Sequence, residues 1–215
     1  ERSRGLGDVY KRQGEGRWEE LKRAYTAITK WVFSLTLPLF LIFVLFPEST
    51  LSLVFGARYA EAAPALRILA AGFFLNAMLG PNGASLVVLG RTRLLFRVSL
   101  AAVTLNVLLN LLLIPAWGTT GAAVATTAAL GLRNLLFSLG LARATGMHPF
   151  TWNYLKPAAA SAALIYLVAV ATRQAMEPIP QWTLPLLFLG FLGVYGAAIV
   201  LTRSFDREDL MILLA

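Results

Sequence analysis

The chain has 215 residues, of which 58% are hydrophobic and only 14% charged, with a mean hydropathy of +0.68. A soluble domain is about half apolar and about a quarter charged, so this composition points to a membrane protein. The formal charge of +8 raises nucleic acid as a partner, but cytoplasmic membrane loops carry the same excess of Lys and Arg. Cysteine is absent and His148 is the single histidine, which excludes a thiolate or histidine metal cluster, a disulfide framework and a His-based triad. No catalytic residue, metal site or cofactor is read from the sequence.

In chain order, the opening comes first. Asp8-Val9-Tyr10-Lys11-Arg12-Gln13 resembles the reading-frame translation of a transposase adaptor used in preparing DNA for sequencing. Residues 1–13 are therefore set aside as an adaptor artefact, and residues 14–30 are read as a cytoplasmic lead-in.

A membrane-crossing helix needs about 20 mostly apolar residues. Six stretches qualify: Trp31–Phe46, extended backward by Ala24–Lys30; Ala62–Leu89; Leu94–Ile114; Thr119–Ala142; Tyr154–Thr172; and Trp182–Thr202. The expected fold is all-α, a polytopic membrane helix bundle of about six transmembrane helices. Residues 31–145 would form one group of spans, 146–203 two additional helices, and 204–215 a truncated cytoplasmic tail. Between the first two spans, LSLVFGARY within 48–61 reads as a short interfacial helix or turn.

Charge sets the expected orientation. Arg17, Lys22, Arg23, Lys30, Arg91, Arg93, Arg97, Arg143, Lys156, Arg203 and Arg207 fall on the side of the N-terminus, against Arg58, Arg67 and Arg173 opposite. Eleven against three places both ends in the cytoplasm, in a multi-pass protein of the cytoplasmic membrane. Because the basic residues are spread over separate loops, nucleic acid is not expected as a partner; membrane lipids are.

Polar residues within spans are the candidate binding residues, since polar groups at membrane depth are costly. Gly80 and Pro81 mark a helix kink, because Pro lacks an N–H and clashes with the preceding turn. Asn82 beside them either faces a cavity or satisfies the carbonyls freed by the kink. Asn106 and Asn110, four residues apart, share one helix face and serve either as sugar ligands or as interhelical glue. Arg67 and Arg97 lie near helix ends, where a guanidinium can snorkel to water. Arg133 is deeper, about 15 Å from the inner end of its helix, and suits a phosphate or pyrophosphate in a hydrated cavity. Gly121, Ala125 and Ala129 form a small-residue ridge that permits close helix approach. The acidic residues fall in loops and tails, which offers no intramembrane carboxylate for proton or sodium coupling.

The runs LVFGARYAEAAPALRILA, LGRTRLLFRV and LNVLLNLLLIPAWGTTGAAVAT together resemble the C-terminal part of polysaccharide-biosynthesis flippases of the multidrug/oligosaccharidyl-lipid/polysaccharide exporter superfamily. The shared elements are Phe-Gly-x-x-Tyr after the first span, Gly-x-Thr before the third, and the Asn-x-x-x-Asn run continuing to Ile-Pro and Gly-x-x-Gly-Ala-Ala. The resemblance covers roughly residues 30–145 and implies a MATE-like carrier with commonly about fourteen helices in two lobes working by alternating access. This chain would then be one lobe plus extra helices, with a missing N-terminal lobe as partner. The implied substrate is a lipid-linked oligosaccharide bearing a phosphate or pyrophosphate, met by Arg67, Arg97 and Arg133, with Asn82, Asn106 and Asn110 toward the sugars. The alternatives are a multidrug/cation antiporter of the same superfamily, or a membrane glycosyltransferase or polymerase using Glu48 and Glu61.

Overall fold

A computed structural model of the chain describes residues 2–146 and the isolated helical positions 189, 190, 193, 196 and 197, with side chains from residue 21 onward. The described residues are all-α. Helix α1 spans Arg2–Leu45, α2 Pro47–Phe55, α3 Ala63–Met78, α4 Asn82–Val88 and α5 Thr92–Thr145, with a 3-10 turn at Ala57–Ala62 between α2 and α3.

Among the described residues three stretches are long and apolar enough to cross a membrane: Leu21–Leu45, Ala57–Val88 and Thr92–Thr145. Six were expected for the whole chain, and three are counted among the described residues. The expected fifth and sixth spans, Tyr154–Thr172 and Trp182–Thr202, lie outside the described residues save for those isolated positions. The expected third and fourth spans correspond to the two arms of α5, which meet at one residue with non-helical backbone angles. That residue is Gly118, whose φ of 55° and ψ of −131° are strained for any residue with a Cβ.

The single non-helical residue is enough to fold α5 back on itself. Gly121 meets the backbone of Leu113, and Gly140 meets the Leu94 side chain. One groove is lined by Ser99, Ala102, Val103 and Asn106 on one side and Thr126, Ala129, Leu130 and Arg133 on the other. A straight helix would hold residues 106 and 126 about 30 Å apart. The two arms, 92–117 and 119–145, therefore run antiparallel, each about 40 Å long at 1.5 Å per residue, enough for a hydrocarbon core of about 30 Å.

Small residues set the closeness of these contacts. Gly121, Ala125 and Ala129 of the expected ridge are all buried. Gly72 of α3 lies against Thr127, whose hydroxyl donates to the Ile68 carbonyl (3.1 Å). Helix α1 meets α3 through aromatic rings, with Phe40 stacked on Phe74 (centroids 4.2 Å apart) and Phe33 tilted on it (5.4 Å). Tyr25, Leu86, Val98, Phe137 and Leu141 form a buried cluster where α1, α4 and both arms of α5 converge. The outer face is apolar and exposed, with Leu35 at 65%, Phe96 at 69% and Leu111 at 69%. Such continuous exposed apolar surface is an aggregation hazard in water and the expected surface in lipid, where hydrocarbon tails are the solvent.

Candidate functional site

The helical break between α3 and α4 is held by a polar node. The helix ends at Met78 and resumes at Asn82, and Gly80 takes a positive φ of 73°, which a residue with a side chain rarely adopts. Pro81 has no N–H to donate, so backbone carbonyls ahead of it need other partners. One comes from α1: the Tyr25 hydroxyl lies 2.8 Å from the Leu79 carbonyl oxygen and 2.7 Å from Asn82 Oδ1. A phenol has one proton to donate, so it serves these two acceptors in turn. Asn82 Nδ2 donates to Ser138 Oγ at 2.7 Å, which ties the break to the second arm of α5. Asn82 is 2% exposed and Tyr25 likewise, so Asn82 spends its amide on stabilising the broken helix. Thr29, one turn after Tyr25 and fully buried, closes over Gly80.

Arg67 sits one turn into α3 and points to the end of α1. Its Nε donates to the Val44 carbonyl (3.2 Å) and its Nη2 to Glu48 Oε1 (3.1 Å). Val44 belongs to the last turn of α1, whose carbonyls have no intrahelical partner. Arg67 thus joins the ends of three helices, α1, α2 and α3. The pair is about half exposed on both sides, and exposed ion pairs contribute less than about 1 kcal/mol. Replacing Glu48 by Gln is expected to change thermal stability in detergent by no more than that. Arg67→Ala should cost more, because it also orphans the Val44 carbonyl; a thermal-unfolding series on the two variants checks the order.

Arg97 is exposed on the first turns of α5, with no hydrogen-bond or ion-pair partner among the described residues. Asn110 Nδ2 donates to both the backbone oxygen and Oδ1 of Asn106 (2.9 and 3.0 Å). The two asparagines thus share one face, and the Asn106 amide is oriented by its neighbour.

Asn106 and Arg133 come together across the arms of α5. Both line the groove of about 260 Å³ with Ser99, Thr126 and four apolar residues. Arg133 lies about 22 Å from the Gly118 turn and about 18 Å from the end of α5 along the helix axis, close to its midpoint. Its Nε is buried without a hydrogen-bond partner. An unmet guanidinium donor at this depth is costly, and a phosphate oxygen is its best-matched acceptor. The groove therefore brings together a cation, an amide and two hydroxyls, all able to donate.

Of the residues singled out in the sequence, Arg133 and Asn106 share this groove with Asn110 behind. Arg67, Arg97 and Asn82 stand elsewhere, each in its own setting. Residues the sequence reading passed over are Tyr25, Thr29, Ser99, Thr126 and Ser138. Tyr25 and Thr29 are spaced i, i+4 beside the first span, a signal that was available. Lys30, counted above among the flanking charges, is 5% exposed and lies inside the span Leu21–Leu45.

Residues 11–112 match the MatE family, from within α1 into the first arm of α5. Among curated proteins the chain is 33% identical over 102 residues to the "Probable low-salt glycan biosynthesis flippase Agl15" of Haloferax volcanii, covering 47% of this chain and 22% of that protein. It is 30% identical over 114 residues to the "Uncharacterized membrane protein MJ1068" of Methanocaldococcus jannaschii, covering 51% of this chain and 22% of that protein. The chain thus spans about a fifth of the length of each of these relatives. No solved structure matches the chain significantly. Just under half of the chain, residues 11–112, is thus similar to the MatE family, and the long apolar stretches are those of a multi-pass membrane protein.

Proposed function

We propose that this chain supplies one wall of the substrate path in a carrier that moves lipid-linked oligosaccharides or related polysaccharide precursors across the cytoplasmic membrane. The observation that carries the reading is Arg133, with its unpartnered Nε at mid-helix in a groove shared with Asn106. The cation takes the phosphate or pyrophosphate of the lipid carrier, and Asn106, Ser99 and Thr126 face the first sugar. The flippase named among the relatives supports this substrate class. Both ends of the chain lie in the cytoplasm on the charge distribution given above, so the groove opens to alternate sides as the helices move.

Binding tests the reading directly. Purified chain in lipid nanodiscs is titrated with farnesyl pyrophosphate and, separately, with farnesol. Hydrogen bonds to charged groups contribute about 1.5–3 kcal/mol. Arg133→Ala is therefore expected to weaken pyrophosphate binding by about tenfold or more, with Arg133→Lys intermediate and farnesol binding unchanged. Equal affinity for the two ligands, or an Arg133→Ala variant that binds pyrophosphate as tightly as the parent, overturns the assignment.

A further inference from the structure

The segment between α1 and α3 carries a second surface. The chain leaves α1 at Leu45 and enters α3 at Ala63, with α2 and the 3-10 turn between. Since α1 and α3 both belong to membrane-crossing stretches, their adjoining ends mark one boundary of the bilayer. Arg67 holds α2 at that boundary, through Glu48 in its first turn and the Val44 carbonyl at the end of α1. The segment cannot project far into water.

Its tip is apolar and uncovered. Leu53 is 46% exposed, Val54 63%, Phe55 63% and Tyr59 42%. Phe55 and Tyr59 lie together with ring centroids 5.8 Å apart. The Arg58 guanidinium sits 4.9 Å above the Tyr59 ring and donates from Nη2 to the Tyr59 hydroxyl at 3.0 Å. Five N–H donors in a planar fork leave most of this guanidinium unengaged. An aromatic pair with an apolar body and a cation at its edge matches the chemistry of a membrane interface, apolar below and phosphate-rich above.

We propose that α2 and the 3-10 turn form a lipid-anchoring element. Leu53, Val54 and Phe55 enter the upper acyl region, and Arg58, held over Tyr59, binds the phosphate of an anionic phospholipid. The occupant is bilayer lipid, because the tip is apolar and exposed and Arg67 holds α2 against the ends of α1 and α3, both in stretches apolar enough to cross a membrane. The anchor would fix the height of the α1–α3 ends in the leaflet, leaving the α3–α4 break free to be adjusted beneath it. This inference stands independently of the substrate assigned to the Arg133 groove.

The absence of cysteine makes the test clean. A Phe55→Cys variant of the full chain is labelled with a bimane and reconstituted into mixtures of phosphatidylcholine and phosphatidylglycerol, with one or the other carrying brominated acyl chains. Bromine in the chains should quench the label strongly, and brominated phosphatidylglycerol should be favoured about fivefold, the preference expected of one Arg near an anionic surface. Adding Arg58→Gln should abolish the preference and keep the quenching. A Leu108→Cys label, on an exposed position of α5, reports full bilayer contact, and an Arg91→Cys label reports water. Thermal unfolding of each variant certifies that it is folded. Quenching at position 55 no greater than at position 91 overturns the anchor, whether water or another protein segment covers the tip. Equal quenching by the two lipids, or a preference that survives Arg58→Gln, overturns the headgroup site.

Discussion

Gly121→Ala is expected to be the most damaging single methyl that can be added to α5. The new Cβ would be driven into the Leu113 carbonyl oxygen, 2.6 Å from its carbonyl carbon and 3.1 Å from the Ile114 nitrogen. All three are backbone atoms in the facing arm, so no side-chain rotation relieves the contact. The arms must separate next to the Gly118 turn. Overpacking of this kind costs about 1–3 kcal/mol and sometimes more. Gly131 of the same arm provides the control, since a Cβ there meets nothing within 4 Å. Gly131→Ala should be neutral or stabilising by up to about 1 kcal/mol, from helix propensity alone. Thermal unfolding in detergent micelles, followed by circular dichroism, should rank the parent with or below Gly131→Ala, and well above Gly121→Ala. Opening the arms also widens the groove, so Gly121→Ala should weaken pyrophosphate binding even though it leaves every lining side chain intact.

The second large effect is expected at the node around the α3–α4 break. Tyr25→Phe removes the hydroxyl that meets the Leu79 carbonyl and Asn82. A polar group left unsatisfied in a buried setting costs about 1–3 kcal/mol. Asn82→Leu removes the other half and also strips Ser138 of its donor. Because both side chains belong to one hydrogen-bonded unit, the two losses should fall short of adding, with a coupling of about 0.5–3 kcal/mol in a double-mutant cycle. Strict additivity would mean that Tyr25 and Asn82 act separately and that the break is held by packing alone. A functional readout accompanies the stability measurement. If the break is a hinge, Tyr25→Phe loosens it without touching the groove, and hydrogen exchange at residues 79–82 should speed up while Arg133-dependent binding persists.

Much of this architecture is legible in the residues because it rests on local chemistry. In a bilayer every backbone N–H and C=O must be satisfied by a helix or a closed barrel, and uninterrupted apolar runs of about 20 residues select the helix. Gly80-Pro81 breaks its helix because a missing donor and a ring clash adjoin a glycine free to take a positive φ, whereas Pro38 is carried inside α1. The Gly121, Ala125 and Ala129 ridge follows from a four-residue period that places three small side chains on one face. The tightness of the third-to-fourth link was less legible. Pro115 and Gly118 read as a link between two spans, and the reversal occupies a single residue, Gly118, with positive φ.

Partner choice belonged to the tertiary structure. Asn82 and Ser138 are 56 positions apart and Tyr25 and Asn82 are 57. Periodicity tells which face a residue occupies and says nothing about what stands opposite. Asn82 read equally as a cavity ligand or as a cap for the kink until α1 placed a tyrosine hydroxyl against it. Arg67, Arg97 and Arg133 are the same residue type in similar apolar contexts, and their settings differ. One finds a carbonyl and a carboxylate at the helix ends, one stands exposed, and one is turned into a groove that forms only when α5 folds back. Composition and local backbone chemistry determined that this chain is a membrane-crossing helical protein and where its helices break. The antiparallel closure of α5 decided which polar side chains share a site, because contacts between distant positions exist only once the chain has turned.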